Sequence, residues 1–106
     1  DTAKLRELLD ACKGALSVGT GKASGKNRAV QATETAMSSV FTHRGDYDRV
    51  SSALVSICGS PDLCMHEYDV IVKTILGKLP NNTSFLMGVT ADSILQDSIQ
   101  VTVLLG

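Results

Sequence analysis

The first apolar positions of the chain recur with helical spacing. Leu5, Leu8, Leu9 and Cys12 follow the i, i+3, i+4, i+7 pattern of an amphipathic helix. Gly14 suits the position just after a helix end, where a left-handed backbone is common. The next segment, ALSVGT, predicts a short strand.

A second helical pattern follows in GKNRAVQATETAMSSV. One predicted face carries only small or medium-sized side chains: Ala29, Ala32, Thr33, Ala36 and Val40. The residues predicted to point away from that face are Arg28, Gln31, Glu34 and Ser38. Because the residues of the apolar face are small, this helix can lie close against a sheet.

The middle of the chain predicts a polar loop, a strand and a third helix. The loop covers residues 42–49, and residues 50–58 alternate with Ala53, Val55 and Ile57 on one face. The segment GSPDL then stops the strand. From Met65 onward a helical stripe runs to Pro80, which is predicted to end the helix; its apolar members are Tyr68, Ile71, Val72, Ile75 and Leu79.

Two strands close the chain, SFLMGVT with Phe85, Met87 and Val89 on one side, and SIQVTVLL after the turn segment ADSILQD. In the second strand the apolar residues Ile99, Val101, Val103 and Leu105 face opposite to Gln100 and Thr102. The predicted order is αβαβαββ, an α/β (α+β) fold with a mixed four-stranded sheet flanked by helices. The last two strands are predicted to form a hairpin.

Composition limits the class of protein. With 106 residues the chain predicts one domain, residues 1–106, and its formal net charge of -1 supplies no field to attract nucleic acid or an anionic membrane. Three cysteines without a CxxC pair favour a reducing cytoplasm. No apolar run reaches the length of a membrane span, and no signal peptide is visible. The abrupt start and end indicate a piece of a longer protein.

The glycine-rich stretch is the first candidate binding site. Gly19, Gly21 and Gly25 precede a helix, where an anion could bind, but the spacing is GxGxxxG and Asn27 follows Lys26. Neither the Walker loop nor the dinucleotide motif is therefore present. A strand-to-helix turn that needs permissive backbone is the favoured interpretation, with an anion site at residues 19–25 as the alternative.

Metal and thiol chemistry have weak candidates. Cys58, Cys64 and His66 are close in sequence, but a fourth ligand with zinc spacing is absent, so no metal site is predicted. Cys64 stands at the predicted N-cap of the third helix with Glu67 three residues later, which is a capping-box arrangement with a thiol as a poor cap. A reactive thiol at this helix start is the alternative.

The remaining candidates do not assemble a self-contained active site. His43 is predicted to lie in a loop, and no nucleophile motif accompanies it or His66. The carboxylates of the loops are scattered in sequence: Asp46, Asp48 and Asp62. Asn81 and Asn82 each begin an N-x-[ST] triplet, which in a cytoplasmic protein is simply loop sequence.

Three segments taken in order resemble the C-terminal domain of FtsZ, the bacterial tubulin-like cell-division GTPase. VGTGKASGKNRAVQATETAMSS is similar to the family's strand, loop and alanine-rich helix. ALVSICGSPDL resembles its LVNITGGxDL strand and turn, with Ser56 and Cys58 as small departures. SFLMGVTADSILQDSIQVTVLLG resembles its closing strands. The resemblance runs from about Gly14 to Gly106.

The resemblance implies a role in a filament. The family's N-terminal domain binds GTP, with Mg, through a GGGTGTG loop that this sequence lacks, so the chain alone is expected to bind no GTP and to have no cofactor. The C-terminal domain begins with the synergy loop, whose acidic residues act on the GTP of the adjacent subunit. Expected partners are FtsZ-type subunits arranged head to tail and the chain's own N-terminal domain, in the bacterial cytoplasm, with neither nucleic acid nor a membrane contacted directly.

The synergy-loop motif N-x-D-F-A-D-[VI] is only partly present. Without a gap, Thr2 takes the first acidic position and Leu5 the second; with one extra helix residue, Asp1 takes the first and Lys4 the second. Asp1 is therefore the one catalytic residue that the resemblance implies, and the second acid is missing in either register. Activation of a neighbour's GTP is thus in question, whereas assembly is not.

Two other functions remain as alternatives. One is a free-standing small α/β enzyme or ligand-binding protein that uses the glycine-rich stretch as an anion site. The other is a regulatory FtsZ paralogue that caps filaments, which the missing acid suggests. For an FtsZ-like domain, the isolated chain is expected to be inactive as a GTPase. Its first helix and the exposed side of its sheet are then expected to carry an exposed apolar patch.

Overall fold

The computed structural model describes residues 17–44, 50–92 and 96–106. Within these ranges the elements are β1 (Ser17–Ser24), α1 (Arg28–Arg44), β2 (Ser52–Gly59), α2 (Met65–Leu76), β3 (Ser84–Ala91) and β4 (Ser98–Leu105). The mixed four-stranded sheet and the two later helices of the predicted α/β fold are confirmed. The predicted first helix and Asp1 lie outside the described residues.

The sheet has the order β1-β4-β2-β3. β2 and β3 are parallel and connected through α2, while β4 is antiparallel to both β1 and β2. The predicted hairpin between the last two strands is therefore wrong, because β2 separates them. The inward side chains of β4 explain its central place, since Ile99, Val101, Val103 and Leu105 are all 0% exposed.

Both helices lie on one face of the sheet and form a single core with it. Ala53, Val55 and Ile57 of β2 point into this core, as their alternation predicts. Ile71 and Ile75 of α2 are fully buried in the same core. The inner face of the sheet is thus covered by α1 and α2, whereas no described helix lies on the opposite face.

The glycines of β1 correct the sequence interpretation. β1 runs to Ser24, so Gly19 and Gly21 lie inside the strand and pair with Val103 and Val101. A Cβ at Gly19 would overlap the carbonyl oxygen of Ala36, and one at Gly21 that of Ala32. These two glycines let α1 pack directly on β1, and a turn is not their function.

Only the third glycine belongs to the turn before α1. Gly25 has a φ of 92°, a left-handed conformation that favours glycine. Its carbonyl oxygen accepts a hydrogen bond from the Arg28 backbone N–H at 3.3 Å. The strand-to-helix turn is therefore made by residues 25–27 alone.

Two helix predictions need correction. α1 extends to Arg44, so His43 lies in a helix and not in the predicted loop. α2 ends at Leu76, four residues before Pro80, and the backbone N–H of Gly77 donates to the carbonyl oxygen of Lys73 at 2.9 Å. Leu79 is nevertheless buried, because the turns that follow α2 return it to the core.

Candidate functional site

A buried arginine organises the end of the sheet where β1, β2 and β3 terminate. Arg28, the first residue of α1, is only 6% exposed, although its place in the helical pattern predicts that it points away from the core. Its Nε donates to Glu67 Oε2 at 2.6 Å and its Nη2 to Glu67 Oε1 at 2.8 Å. This two-point contact ties the start of α1 to the first turn of α2.

The remaining guanidinium nitrogen reaches two connecting segments. Arg28 Nη1 donates to Ser60 Oγ at 3.0 Å and to the carbonyl oxygen of Asp97 at 2.7 Å. Asp62 lies 3.5 Å from Nη2 and accepts a hydrogen bond from Ser60. One side chain therefore holds the β2–α2 connection, the start of β4 and both helices together. We call Arg28, Ser60, Asp62 and Glu67 the Arg28 network.

The electrostatics of the Arg28 network favour the charged forms of Arg28, Asp62 and Glu67. The hydrogen bond from Arg28 is the main cause that lowers the pKa of Glu67, and Arg28's own pKa is raised chiefly by the same bond. The pKa of Asp62 is lowered, mainly by the hydrogen bond from Ser60. None of these shifts produces a group able to exchange a proton near neutral pH.

Glu67 also fixes the start of α2. Its Oε1 accepts a hydrogen bond from the backbone N–H of Cys64 at 3.2 Å, so the capping-box arrangement predicted from the sequence is present. The Cys64 Sγ lies 3.6 Å from the same oxygen. The carboxylate is therefore shared between a helix cap and the buried arginine.

The Arg28 network is a structural device and not a ligand site. In the part of the chain that the structure describes, every buried side-chain nitrogen and oxygen has a hydrogen-bond partner. All three guanidinium nitrogens of Arg28 are engaged by protein oxygens. The network can position the surrounding segments, but it offers no unused donor to a substrate.

The anion site proposed for residues 19–25 is not supported by the geometry. The backbones of Gly19 and Gly21 pair with β4, and α1 fills the space above both. A cradle for a phosphate needs several free backbone N–H groups around an open space. The side chains of Lys22 and Lys26 are exposed, and the alternation along β1 places Lys22 on the sheet face opposite to α1.

The other sequence candidates are spread over different surfaces. Cys58 lies half-buried in β2, whereas Cys64 and His66 are exposed at the start of α2. Among the described residues no group of three or more histidine, cysteine, aspartate or glutamate side chains is arranged to hold a metal ion. Asp46 and Asp48 lie outside the described residues, as Asp1 does.

A shallow open pocket lies between the first turns of α1 and α2. His66 and Lys26 stand at its rim, and Glu67 occupies part of its wall. The other lining residues are Asn27, Ala29, Val30 and Val70. Both carboxylate oxygens of Glu67 are already bonded to Arg28, and the described lining has no buried unpartnered group that would hold a ligand.

The sheet face opposite to α1 and α2, here named the open face, has one apolar line of residues beside one polar line. Because the register aligns Val18, Leu104, Leu54 and Leu86 across all four strands, these residues form one continuous line, the apolar row. Val18 is 51% exposed, and the three leucines are half-buried. The next line is polar or small, Thr20, Thr102, Ser56 and Gly88. The sheet's part of the predicted apolar patch is therefore present at one end of this face, whereas the part on the first helix lies outside the described residues.

The sequence contained a signal for the apolar row but none for the Arg28 network. Leucine at outward positions of three strands breaks the usual alternation, which marks a face that is only partly solvated. Arg28 at a helix start and Glu67 in a capping box gave no sign of contact, because they are 39 residues apart. Only the packing of α1 beside α2 brings them together.

No described helix is both long enough and apolar enough to cross a membrane.

Residues 14–106 match the profile of the family described as "FtsZ family, C-terminal domain". The chain is 34% identical over 86 residues to the cell division protein FtsZ of Buchnera aphidicola. These aligned residues make up 81% of this chain and 22% of that protein. It is 28% identical over 103 residues to FtsZ of Coxiella burnetii, covering 97% of this chain and 26% of that protein.

Solved structures agree with the sequence relatives. An FtsZ dimer from M. jannaschii superposes with a TM-score of 0.87 at 26% identity, over 99% of this chain and 30% of that chain. An FtsZ W319Y mutant from the same organism has a TM-score of 0.88 at 24% identity, over 99% of this chain and 31% of that chain. The chain thus spans roughly a quarter to a third of the length of these relatives.

Proposed function

The chain belongs to the FtsZ family, of which it forms the C-terminal domain, and from this premise we propose that it supplies one face of a head-to-tail filament contact in a cell-division GTPase. The observation that carries the proposal is the family match over residues 14–106 together with a fold that superposes along nearly the whole chain. Its work in this role is mechanical and interfacial. The nucleotide chemistry belongs to the parent's other domain.

The packing of α1 on Gly19 and Gly21, where a phosphate would need open space, supports this division of labour. GTP and Mg would bind in the parent's N-terminal domain, because the GGGTGTG loop does not occur in this sequence. The chain's contribution to hydrolysis would be the synergy loop near Asp1, acting on the GTP of the adjacent subunit. With Lys4 or Leu5 at the second acidic position, we expect this loop to orient the attacking water poorly.

The apolar row supports a contact with the parent's own N-terminal domain. Val18 exposes half of its surface, and Leu54, Leu86 and Leu104 extend the same line across the sheet. Covering such a row removes apolar area from water and stabilises association of two domains.

The proposed site of action is the bacterial cytoplasm.

Co-sedimentation with a polymerising full-length FtsZ tests the filament role. We expect the chain to pellet with GTP-dependent polymer and to lower GTP turnover per pelleted subunit, because its synergy loop lacks the second acid. Lys4→Asp should restore part of the turnover. Lys26→Asp makes the same charge change at an exposed position in the turn before α1 and should restore none.

The same assay separates the remaining alternatives. A chain that shortens the polymer and reduces the pellet at low molar ratio is a filament-capping paralogue. A chain that neither pellets nor alters polymer mass contradicts the filament role altogether. Equal turnover with Lys4→Asp and Lys26→Asp would remove the synergy-loop part of the proposal and leave the assembly part standing.

Calorimetric titration tests the division between domains. We expect no heat of binding from GTP, GDP or inorganic phosphate added to the chain alone, because the sequence lacks the GGGTGTG loop and α1 packs directly on Gly19 and Gly21. Micromolar binding of phosphate or of either nucleotide would contradict this and favour a free-standing ligand-binding protein.

The contact with the N-terminal domain is tested by adding that domain of a related FtsZ as a separate polypeptide. We expect binding that Val18→Ser weakens several-fold, because one exposed member of the apolar row is lost. Val30→Ser is the matched control, since Val30 is 44% exposed on α1. Equal weakening by both variants would contradict the assignment of this face.

A further inference from the structure

The outer edge of β3 is a backbone surface that pairs with no described strand. β3 ends the sheet, and its one described neighbour is β2. The Ser84 N–H donates to the Ser51 carbonyl oxygen at 2.9 Å, and the Asp92 N–H to the Gly59 carbonyl oxygen at 2.9 Å. With an unbroken register between them, the even-numbered residues direct their backbone groups toward β2.

The odd-numbered residues therefore direct theirs outward. Phe85, Met87, Val89 and Ala91 present four N–H and four C=O groups along one straight edge. Natural edge strands are usually protected by a charge, a proline or a bulge. The eight residues of β3 contain no charged side chain and no proline, whereas β1 at the other edge carries Lys22.

The order of residues in β3 is compatible with its own copy. In an antiparallel pair centred on Gly88, Phe85 faces the second copy's Ala91 and Met87 faces its Val89. All four outward residues then form hydrogen-bonded pairs, and the two Gly88 residues meet on the two-fold axis with no side chain to obstruct approach.

The side chains around this axis favour the same arrangement. Val89 is 46% exposed and Met87 is half-buried, and self-pairing places one against the other twice. No like charges are brought face to face over the eight residues. This pairing makes one continuous eight-stranded sheet. The helices of both copies then cover the same face of that sheet.

We propose that β3 is a self-association edge through which two copies of this chain pair antiparallel about Gly88. The partner is a second copy of the chain, and the contact is backbone hydrogen bonding flanked by Met87 and Val89. This inference does not rest on the filament role, since it needs neither nucleotide nor another protein.

Disulfide trapping tests the register. In a background with Cys12, Cys58 and Cys64 replaced by serine, Gly88→Cys should oxidise to a covalent dimer, because facing residues at a non-hydrogen-bonded site lie ~4.5 Å apart at Cα. Substitution at Gly88 meets nothing within 4 Å of the added Cβ. Thr90→Cys is the control, because its copies would stand about 13 Å apart along the strand.

Analytical ultracentrifugation tests the association without added cysteines. The weight-average mass of the natural chain should rise with concentration from 11.2 kDa toward twice that value. Val89→Lys should weaken dimerisation by about tenfold or more, because it disrupts both Met87–Val89 pairs. Val30→Lys makes the same change at a matched exposed valine on α1 and should leave the dissociation constant unchanged.

The outcomes are decisive in either direction. Trapping of Gly88→Cys but not Thr90→Cys, with dimerisation weakened by Val89→Lys alone, supports the proposal. A monomer at all concentrations overturns it, as does equal trapping at both positions. Association that Val18→Ser abolishes and Val89→Lys leaves intact would also overturn it, since that contact would be the apolar row. Circular dichroism verifies that each variant is folded.

Discussion

Gly19 and Gly21 lack a side chain for a different reason than Gly25 does. The first two lie under α1, where an added Cβ would overlap backbone oxygens that the helix holds in place. Gly25 has open space around it and is needed for its φ of 92°. The glycine-rich pattern therefore combines a requirement for close packing with one for a left-handed turn, and neither requires a ligand.

Gly21→Ala should lower the free energy of unfolding by about 3 kcal/mol or more, because α1 must move away from β1 to admit the new methyl group. Gly88→Ala is the matched control. Its Cβ has nothing within 4 Å, and alanine suits a strand better than glycine, so its unfolding free energy should be unchanged or slightly higher. Urea denaturation measures both, and similar losses would contradict the packing argument.

Arg28 is the residue whose role the sequence pattern misassigned. Arg28→Met should lower the free energy of unfolding by about 3 kcal/mol, because it leaves the Glu67 carboxylate without its cation. Lys73→Met, which removes an exposed ion pair with Asp69 of 3.0 Å, should cost under about 1 kcal/mol. Urea unfolding compares them.

The double variant separates charge from packing at this site. Arg28→Met combined with Glu67→Met should be more stable than Arg28→Met alone, because no partly buried charge remains unpaired. A double variant that loses as much as the sum of the two single losses would contradict the coupling of these residues.

At the scale of the element, the start of α2 has the predicted capping box, but its N-cap residue, Cys64, is a poor hydrogen-bond acceptor. The capping-box frame is confirmed, yet its first position is a thiol and not a hydroxyl. Cys64→Ser should therefore raise the unfolding free energy by about 0.5–1 kcal/mol, since a serine oxygen accepts the backbone hydrogen bond better. Cys58→Ser, the same change within β2, should give no such gain. Thermal or urea unfolding decides between them.

The strands differ in how far their own residues determine their place. The alternation in residues 98–105 predicts a strand with one buried face, which is confirmed. The same alternation contains nothing that selects neighbours, and β4 lies between β1 and β2 instead of beside β3. A hairpin is the shortest connection, but the central position pairs both edges of β4 and buries its inward face of Ile99, Val101, Val103 and Leu105.

For the molecule as a whole, stability should depend on pH through the Arg28 network. The pKa of Glu67 is lowered from its ordinary 4.5, so the unfolded state binds more protons as the pH falls below that value. The contribution of Glu67 is present above pH 4.5 and is lost as the pH falls through the lower pKa of the folded state. Urea unfolding midpoints measured between about pH 3 and pH 6 should therefore rise with pH. This range extends roughly one unit or more on either side of the ordinary pKa of 4.5.

Glu67→Gln should flatten that rise, since the amide does not titrate. Glu34→Gln is the control, because the exposed Glu34 carboxylate lies 3.7 Å from Lys78 and outside the Arg28 network. A slope that both variants leave equal to that of the natural chain would contradict the role of the network in acid unfolding.

The sequence by itself determined which strands and helices form among the described residues, though not their ends. It also determined the family and the buried faces of β2, β4 and α1, apart from Arg28. These properties are local or periodic: alternation in β2 and β4, the small-residue face of α1, and a glycine-rich motif in a fixed order. Tertiary structure decided the neighbours of β4, the closeness of α1 to β1, the burial of Arg28 and the alignment of the apolar row. Each of these features depends on contacts between residues that are far apart in the chain. Those contacts form, and contribute to stability, only when the helices pack on the sheet.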